Sequence, residues 1–217
     1  PRRRGRTAVA AVSVLLVAAT IGLIWVLGNR SDDEDAASTT TAPAPTELPV
    51  EQVWAAATGG DVFSSPAVTT DLVVTGSDDG AVRGLDRATG QERWNTATGG
   101  PVKSSPTVAD GVAYVGSNDG SVHAFDAATG AKRWETPIGY EVVSSPAAAG
   151  GSVVIGSDKL YSLDQATGTQ RWATATDAEI VSSPAVDGDT VVVGSNAGSL
   201  YGFALAALKP LADQYGP

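Results

Sequence analysis

The stretch that decides the fold is Leu85-Asp86-Arg87-Ala88-Thr89-Gly90-Gln91-Glu92-Arg93-Trp94. Its pattern returns from Phe125-Asp126 to Arg133-Trp134 and from Leu163-Asp164 to Arg171-Trp172. Glycine tolerates the positive φ of a tight turn, and Asp and Thr side chains bind nearby backbone, so each copy predicts a turn followed by a docking tryptophan. The motif is therefore interpreted as architecture, carried by Asp86, Gly90, Trp94, Asp126, Gly130, Trp134, Asp164, Gly168 and Trp172.

Two further markers repeat in phase with the tryptophans, which stand at Trp54, Trp94, Trp134 and Trp172. The first marker is Ser-Ser-Pro, at 64–66, 104–106, 144–146 and 182–184. The second is Gly-Ser, at 76–77, 116–117, 156–157 and 194–195. Three markers with a common spacing establish an internal repeat, and a period of roughly 40 residues is typical of propeller blades.

One period holds four short β-rich runs separated by Thr-Asp, Asp-Asp-Gly and Ala-Thr-Gly turn signals. The runs are Phe63–Val68, Leu72–Ser77, Ala81–Asp86 and Gln91–Thr96. They predict a four-stranded antiparallel meander, and no helical periodicity competes with it. Blades that stack face to face bury both sides. This burial explains the continuous apolar run Val112–Val115.

The predicted fold is an all-β propeller with four four-stranded blades, preceded by one transmembrane helix. Counting a strand at Trp54, three full periods and the run 181–203 gives sixteen strands. The first strand could complete the last blade and close a ring. Alternatively, the blades form a partial arc that further sequence or self-association with a second copy completes.

The three motif copies resemble the tryptophan-docking motif of the pyrroloquinoline-quinone (PQQ)-like propeller family, over residues 50–203. The resemblance implies a propeller, although that family usually builds seven or eight blades. Its enzymes use a longer chain, a calcium ion, an acidic base and commonly a vicinal cysteine pair. With four units and no cysteine, the chain resembles the non-enzymatic branch, so no catalytic, cofactor-binding or metal-binding residue is expected.

The amino-terminal segment is predicted to anchor the protein in a membrane. Residues 8–27 carry no charge. A helix of this length spans about 30 Å, the hydrocarbon thickness of a bilayer. Arginines precede this segment and acids follow it, so the positive-inside rule places residue 1 in the cytoplasm and the repeats outside. A cleavable signal peptide is the competing interpretation, but the segment is long for one and lacks a small-x-small site. Both interpretations export the repeats.

The predicted organisation has five parts. They are a cytoplasmic basic flank (1–7), a transmembrane helix (8–28), a disordered Ser/Thr/Pro/acidic linker (29–50), the propeller repeats (51–204) and a carboxy-terminal tail (205–217). The docking motif fails after Phe203, since Ala204 stands where Asp is expected. Because the sequence begins at Pro1 and contains no Met, it is expected to be an excerpt of a longer polypeptide.

Composition excludes several classes of function. Residues 31–217 carry nine basic against twenty-four acidic side chains. This balance argues against nucleic acid as a partner, because nucleic-acid binding requires a basic surface. The absence of cysteine removes disulfides, thiolate metal sites, cysteine nucleophiles and a lipoprotein cleavage cysteine.

Other residues that invite a chemical role have structural explanations. His123 is the only histidine, and Arg83, Tyr161 and Tyr201 occupy its place in the other units, so it is interpreted as a packing or surface residue. The Ser-Ser-Pro serines have no base to activate them and are expected to orient the inner strands. Asp78-Asp79-Gly80 lacks the ligand series of a calcium loop and predicts a hairpin turn.

Positions that vary between equivalent units are free to serve recognition. The segment just before Ser-Ser-Pro varies in this way and should surround one mouth of the central channel. Its side chains are predicted to form an acidic collar for a cationic or polar ligand, with solvated loop charges as the alternative. The collar residues are Asp61, Phe63, Lys103, Glu141 and Glu179.

The sequence therefore predicts a membrane-anchored extracytoplasmic module that binds a protein or a small polar ligand. One layout with these features resembles receptor-type bacterial Ser/Thr kinases that carry a PQQ-like propeller outside, although no kinase residue is present in this chain. A second hypothesis is an envelope scaffold similar to the propeller lipoprotein of outer-membrane assembly. A fragment of a PQQ-dependent dehydrogenase is a third.

Overall fold

The computed structural model describes residues 51–205. The predicted basic flank, transmembrane helix and linker lie outside the described residues, as does the tail from residue 206 onward. Among residues 51–205, no helix has the length and apolar character needed to cross a membrane.

Residues 51–205 form fifteen β-strands in four antiparallel sheets, here called blades 1 to 4. Blade 1 contains β1 (Ala67–Val68), β2 (Leu72–Gly76), β3 (Ala81–Asp86) and β4 (Glu92–Ala97). Blade 2 contains β5 (Thr107–Ala109), β6 (Val112–Gly116), β7 (Ser121–Asp126) and β8 (Lys132–Pro137). Blade 3 contains β9 (Ala147–Ala149), β10 (Ser152–Gly156), β11 (Leu160–Asp164) and β12 (Gln170–Thr174). Blade 4 contains β13 (Ala185–Asp187), β14 (Thr190–Gly194) and β15 (Leu200–Ala204).

Each blade is a meander in which consecutive strands pair. The second strands of blades 1 to 3 are buried along their whole length, as expected for strands covered on both faces. The outer strands β4 and β8 are mostly exposed, and the only buried residue of each is its tryptophan. The predicted all-β, propeller-type architecture is confirmed.

Apolar side chains join neighbouring blades in a separate cluster at each junction. Val82 and Trp94 of blade 1 pack in one cluster with Val115 and Phe125 of blade 2. Equivalent clusters join blades 2 and 3 and blades 3 and 4. The hydrophobic core of this fold therefore lies between the sheets.

The Gly-Ser marker explains how closely the blades approach. A Cβ atom added to Gly76 would overlap the side chain of Val102, which belongs to the next blade. The backbone N–H of Val102 also donates to the carbonyl of Ser77 at 3.0 Å. The same relation holds for Gly116 with Val142 and for Gly156 with Ile180. Glycine is therefore required because the adjacent blade occupies the place of a side chain.

The two serines of Ser-Ser-Pro have different structural roles. The first acts within a blade, as where the N–H of Gly116 donates to Ser104 Oγ at 3.0 Å. The second links blades, because the backbone N–H of Ser65 donates to Ser105 Oγ, that of Ser105 to Ser145 Oγ, and that of Ser145 to Ser183 Oγ. The marker thus places each inner strand relative to its own blade and to the next.

The sixteenth strand expected at Trp54 is not paired in the described residues, and blade 4 has three strands. Trp54 instead docks on blade 1, where its Nε1–H donates to the carbonyl of Arg87 at 2.9 Å. Within residues 51–205, no hydrogen bond joins blade 4 to blade 1. The described residues therefore form an arc of blades.

Candidate functional site

The docking motif folds around its aspartate. In blade 1, Asp86 Oδ1 accepts the backbone N–H groups of Ala88 and Thr89 and the hydroxyl of Thr89, while Oδ2 pairs with Arg93. Gly90 has a positive φ of 72°. Glycine adopts this conformation without strain. The same bonds recur around Asp126 and Asp164.

These bonds favour the ionised carboxylates. Hydrogen bonds from Arg93, Arg133 and Arg171, respectively, together with those from the turn, lower the pKa values of Asp86, Asp126 and Asp164 to about 2.

Beyond each turn, the docking tryptophan reaches the next blade. Trp94 Nε1–H donates to the carbonyl of Ala127 at 3.0 Å, and Trp134 Nε1–H donates to that of Gln165 at 3.2 Å. The carboxylates thus hold the turns within each blade, and the tryptophans join neighbouring blades.

The three acidic collar residues, Asp61, Glu141 and Glu179, occupy equivalent places in blades 1, 3 and 4, and Phe63 and Lys103 stand two residues after this place in blades 1 and 2. All five precede the first strand of their blade, and the backbone of each acidic residue is fixed by the turn between the second and third strands. The carbonyl of Asp61 accepts the N–H of Asp78, and that of Glu179 accepts the N–H of Asn196, both at 2.9 Å. The carbonyl of Glu141 accepts the Ser157 hydroxyl, also at 2.9 Å. The collar is therefore built on anchored backbone with its acidic side chains exposed.

The structure brings four of the five collar residues together in two pairs. Lys103 Nζ lies 5.7 Å from the ring centroid of Phe63. This separation is within the range of a cation–π interaction. Glu141 and Glu179, from blades 3 and 4, line one cavity of about 320 Å³, here called the mouth cavity. Asp61 is exposed and belongs to neither pair. Convergence of all four charged residues on a common axis stays a prediction.

Two further residues of the mouth cavity were not predicted from the sequence. Tyr140 is 61% exposed and precedes Glu141. Asp158 comes from the hairpin that is shorter than its counterparts in the other blades. The shorter hairpin was the sequence signal for Asp158, because a shortened hairpin changes which side chain reaches the mouth cavity. Three carboxylates and one exposed phenol therefore share the cavity.

The environment of Asp158 keeps one neighbouring group neutral. The Tyr161 hydroxyl donates to Asp158 Oδ1 at 2.7 Å. Burial raises the pKa of Tyr161 well above its usual range, and the Asp158 carboxylate raises it further. Tyr161 is thus a neutral donor that holds Asp158 at the cavity wall.

His123 and its counterparts lie in the blades as buried polar residues. His123 is 1% exposed, and its Nε2 lies 2.8 Å from Asp119 Oδ2. Arg83 forms the corresponding ion pair with Asp79 in blade 1. The packing interpretation of His123 thus fits its position in the structure. Within residues 51–205, no group of three or more His, Asp or Glu side chains is arranged to hold a metal ion.

Two larger cavities lie at the blade junctions, beside the turns that follow the first and third strands. One of about 430 Å³ lies between blades 2 and 3, and one of about 480 Å³ lies between blades 1 and 2. Arg133 lines both, and it is already paired with Asp126 of the docking motif. Because the arginines of these two cavities are already paired within the docking motifs, the smaller mouth cavity is the stronger candidate for recognition.

Comparison with known proteins places these features in a family. Residues 49–141 and 118–209 match the family described as outer membrane protein assembly factor BamB. Comparison with curated proteins finds no significant match.

Solved structures show the same fold at low sequence identity. BamB from Moraxella catarrhalis is 22% identical with a TM-score of 0.61, over 68% of this chain and 48% of that one. The computationally designed Ika4 protein is 20% identical with a TM-score of 0.66, over 73% of this chain and 99% of that one. A quinohemoprotein alcohol dehydrogenase from Pseudomonas putida HK5 is 18% identical with a TM-score of 0.59, over 70% of this chain and 34% of that one. The chain thus spans about half the length of the Moraxella protein.

Proposed function

Because the chain belongs to the family of the outer membrane protein assembly factor BamB, we propose that it is a binding module whose mouth cavity holds a cationic group of a partner protein. The family description favours an assembly or scaffolding role over catalysis. The quinohemoprotein dehydrogenase, at 18% identity, supports the shared fold alone. A sensory role within a longer receptor is compatible with the same cavity.

The observation that carries the proposal is the composition of the mouth cavity. Glu141, Asp158 and Glu179 come from two different blades and line a single space of about 320 Å³. Carboxylates that share a concave site reinforce one another's field and attract positive charge. Tyr140 adds an exposed aromatic ring, which favours a lysine or arginine side chain. The ligand class is therefore a basic segment of a protein.

We further propose that residues 8–28 anchor the chain in the membrane and that the repeats face away from the cytoplasm. The unequal flanks of arginine and acid support this orientation. In that setting, the linker 29–50 would tether the mouth cavity within reach of envelope proteins, since a flexible chain of its length spans roughly 25 Å. Binding at the mouth needs no cofactor.

The test is the affinity of trilysine for the full chain in detergent, measured by isothermal titration calorimetry. Glu141→Gln with Glu179→Gln should weaken binding by about 1–2 kcal/mol, roughly five- to thirtyfold, with the loss shrinking at high salt. Asp187→Asn with Asp189→Asn removes the same charge from exposed residues at the opposite end of blade 4 and should change affinity little. Equal losses of affinity in the two double variants would mean that trilysine responds to the net charge of the protein and does not bind in the cavity.

A further inference from the structure

Blade 4 presents an unpaired outer edge. Within residues 51–205, β15 pairs only with β14, whereas its counterparts β3, β7 and β11 pair on both sides. Leu200 of β15 is 77% exposed. The equivalent residues Val82, Val122 and Leu160 are fully buried. An exposed edge with an apolar side chain is a template for a further strand.

The first three blades show what strand would fit this edge. Each outer strand sets its tryptophan opposite a small residue of the third strand, in the pairs Gly84–Trp94, Ala124–Trp134 and Ser162–Trp172. In β15 the equivalent small residue is Gly202, which pairs with Val192 as Gly84 pairs with Val74. A Cβ atom added to Gly84 would overlap Trp94, but one added to Gly202 meets nothing within 4 Å. The edge of blade 4 thus has room for an indole.

The chain carries one outer-strand sequence that belongs to no sheet in the described residues. The segment 51–57 contains Trp54, and a Cβ atom on Gly90 would stand 2.6 Å from that indole, as one on Gly130 would from Trp94. Its neighbour Val53 is 80% exposed. The segment therefore docks on blade 1 as the outer strand of a preceding blade would.

The two end blades of the arc carry complementary surfaces, an exposed valine on blade 1 and an uncovered glycine on blade 4. Val62 of blade 1 is 47% exposed, whereas its counterparts Val102, Val142 and Ile180 are buried against a glycine of the preceding blade. The corresponding glycine of blade 4 is Gly194, and no side chain of another blade lies within 4 Å of a Cβ placed on it. Each end of the arc thus presents half of an interface that the chain forms three times internally.

We propose that the outer edge of blade 4 binds residues 51–57 of a second copy, so that two copies complete each other head to tail in a ring of eight blades. Eight blades lie within the range of propellers, and a two-fold axis closes such contacts. The four blades also span about half of the Moraxella BamB chain. The ring extends the proposed function by placing two mouth cavities on one channel, but it does not depend on ligand binding.

The test uses cysteine cross-linking of the full chain, which has no native cysteine. The register of β3 and β4 places Ala56 of one copy opposite Leu200 of the other, at a spacing that a disulfide tolerates. Mixing Ala56→Cys chains with Leu200→Cys chains under mild oxidation should give a disulfide-linked dimer in most of the protein. Mixing Asn95→Cys with Leu200→Cys is the control, because Asn95 occupies a comparable outer strand that is already paired.

Gly202→Leu provides a second readout, because it fills the place of the indole without a clash inside the arc. This variant should reduce the cross-linked fraction at least tenfold and shift the mass in detergent from dimer to monomer, while Asn95→Leu leaves both unchanged. The proposal is overturned if the mixed chains remain monomeric. It is equally overturned if a chain carrying both cysteines links only to itself, which would mean a closed four-blade ring. Trilysine affinity of monomers tests the mouth cavity separately.

Discussion

Among single residues, the docking tryptophans have the largest predicted energetic role. Trp134 is 9% exposed, and its ring lies against Gly168 of the next blade. Trp134→Ala should lower the free energy of unfolding by about 3–5 kcal/mol, because truncation leaves a cavity between blades. Urea unfolding of the full chain measures this. Asn95 is exposed on the paired strand β4, so Asn95→Ala is the control and should leave the free energy of unfolding nearly unchanged. Equal effects would show that the indole is not a packing residue.

The docking aspartates predict how stability depends on pH. Their folded pKa values of about 2 lie below the ordinary 3.8, so the ionised form stabilises the folded state above pH 4. That contribution should be lost progressively as the pH falls from about 4 to about 2. The double variant Asp126→Asn, Asp164→Asn should show a weaker dependence of melting temperature on pH over this interval. Asp187→Asn should keep the pH dependence of the unsubstituted protein. Parallel curves for all three proteins would contradict the assignment of the shifted carboxylates.

For the strands and blades, the closest approaches lie at the Gly-Ser glycines. Gly116→Ala should destabilise the fold by about 1–3 kcal/mol, because the new methyl group overlaps Val142. Adding Val142→Ala removes the overlap, so the double variant should lose less than the sum of the two single variants. A double-mutant cycle from urea unfolding measures this coupling. Gly116→Ala combined with Asn95→Ala is the control, because Asn95 is exposed on β4 and this second pair should be additive. Strict additivity of the first pair would mean that these residues do not touch.

The strands and turns of each blade are predictable from the sequence, because the apolar runs and the turn residues of one blade all occur within one repeat. The motif around Asp86 fixes its own turn, and the period assigned β2, β3 and β4 with nearly correct ends. The inner strand was predicted to begin at Phe63, but β1 comprises only Ala67–Val68. Ser64 and Ser65 explain the difference, since their hydrogen bonds hold the chain in place of a strand ladder.

The mouth cavity was only partly predictable, because it depends on contacts between repeats. Repeat phase identified Glu141 and Glu179 as equivalent, but not that one cavity joins them. Asp158 was missed because a shortened hairpin reads as a neutral deletion until its tip is placed in space. The strand that pairs with the free edge of β15 was not predictable from a single repeat either. Pairing between distant segments depends on how many blades assemble into the ring.

For the whole molecule, the sequence predicts on which side of the membrane each end of the chain lies. The arginine-rich start and the acidic segment after residue 30 predict that residues 1–6 lie inside and the repeats outside. Protease added to intact cells should therefore remove the repeats and leave the amino-terminal end protected. Permeabilised cells serve as the control for protease access. Full protection of the repeats in intact cells would reverse the orientation.

The proposed binding site for a cationic group is the mouth cavity and not the acidic surface as a whole. Carbodiimide labelling of carboxylates, read by mass spectrometry with and without trilysine, tests it most directly. Trilysine should protect Glu141, Asp158 and Glu179, while labelling of the exposed Asp187 and Asp189 should stay unchanged. Uniform protection of all five carboxylates, or protection that spares the three cavity residues, would contradict it.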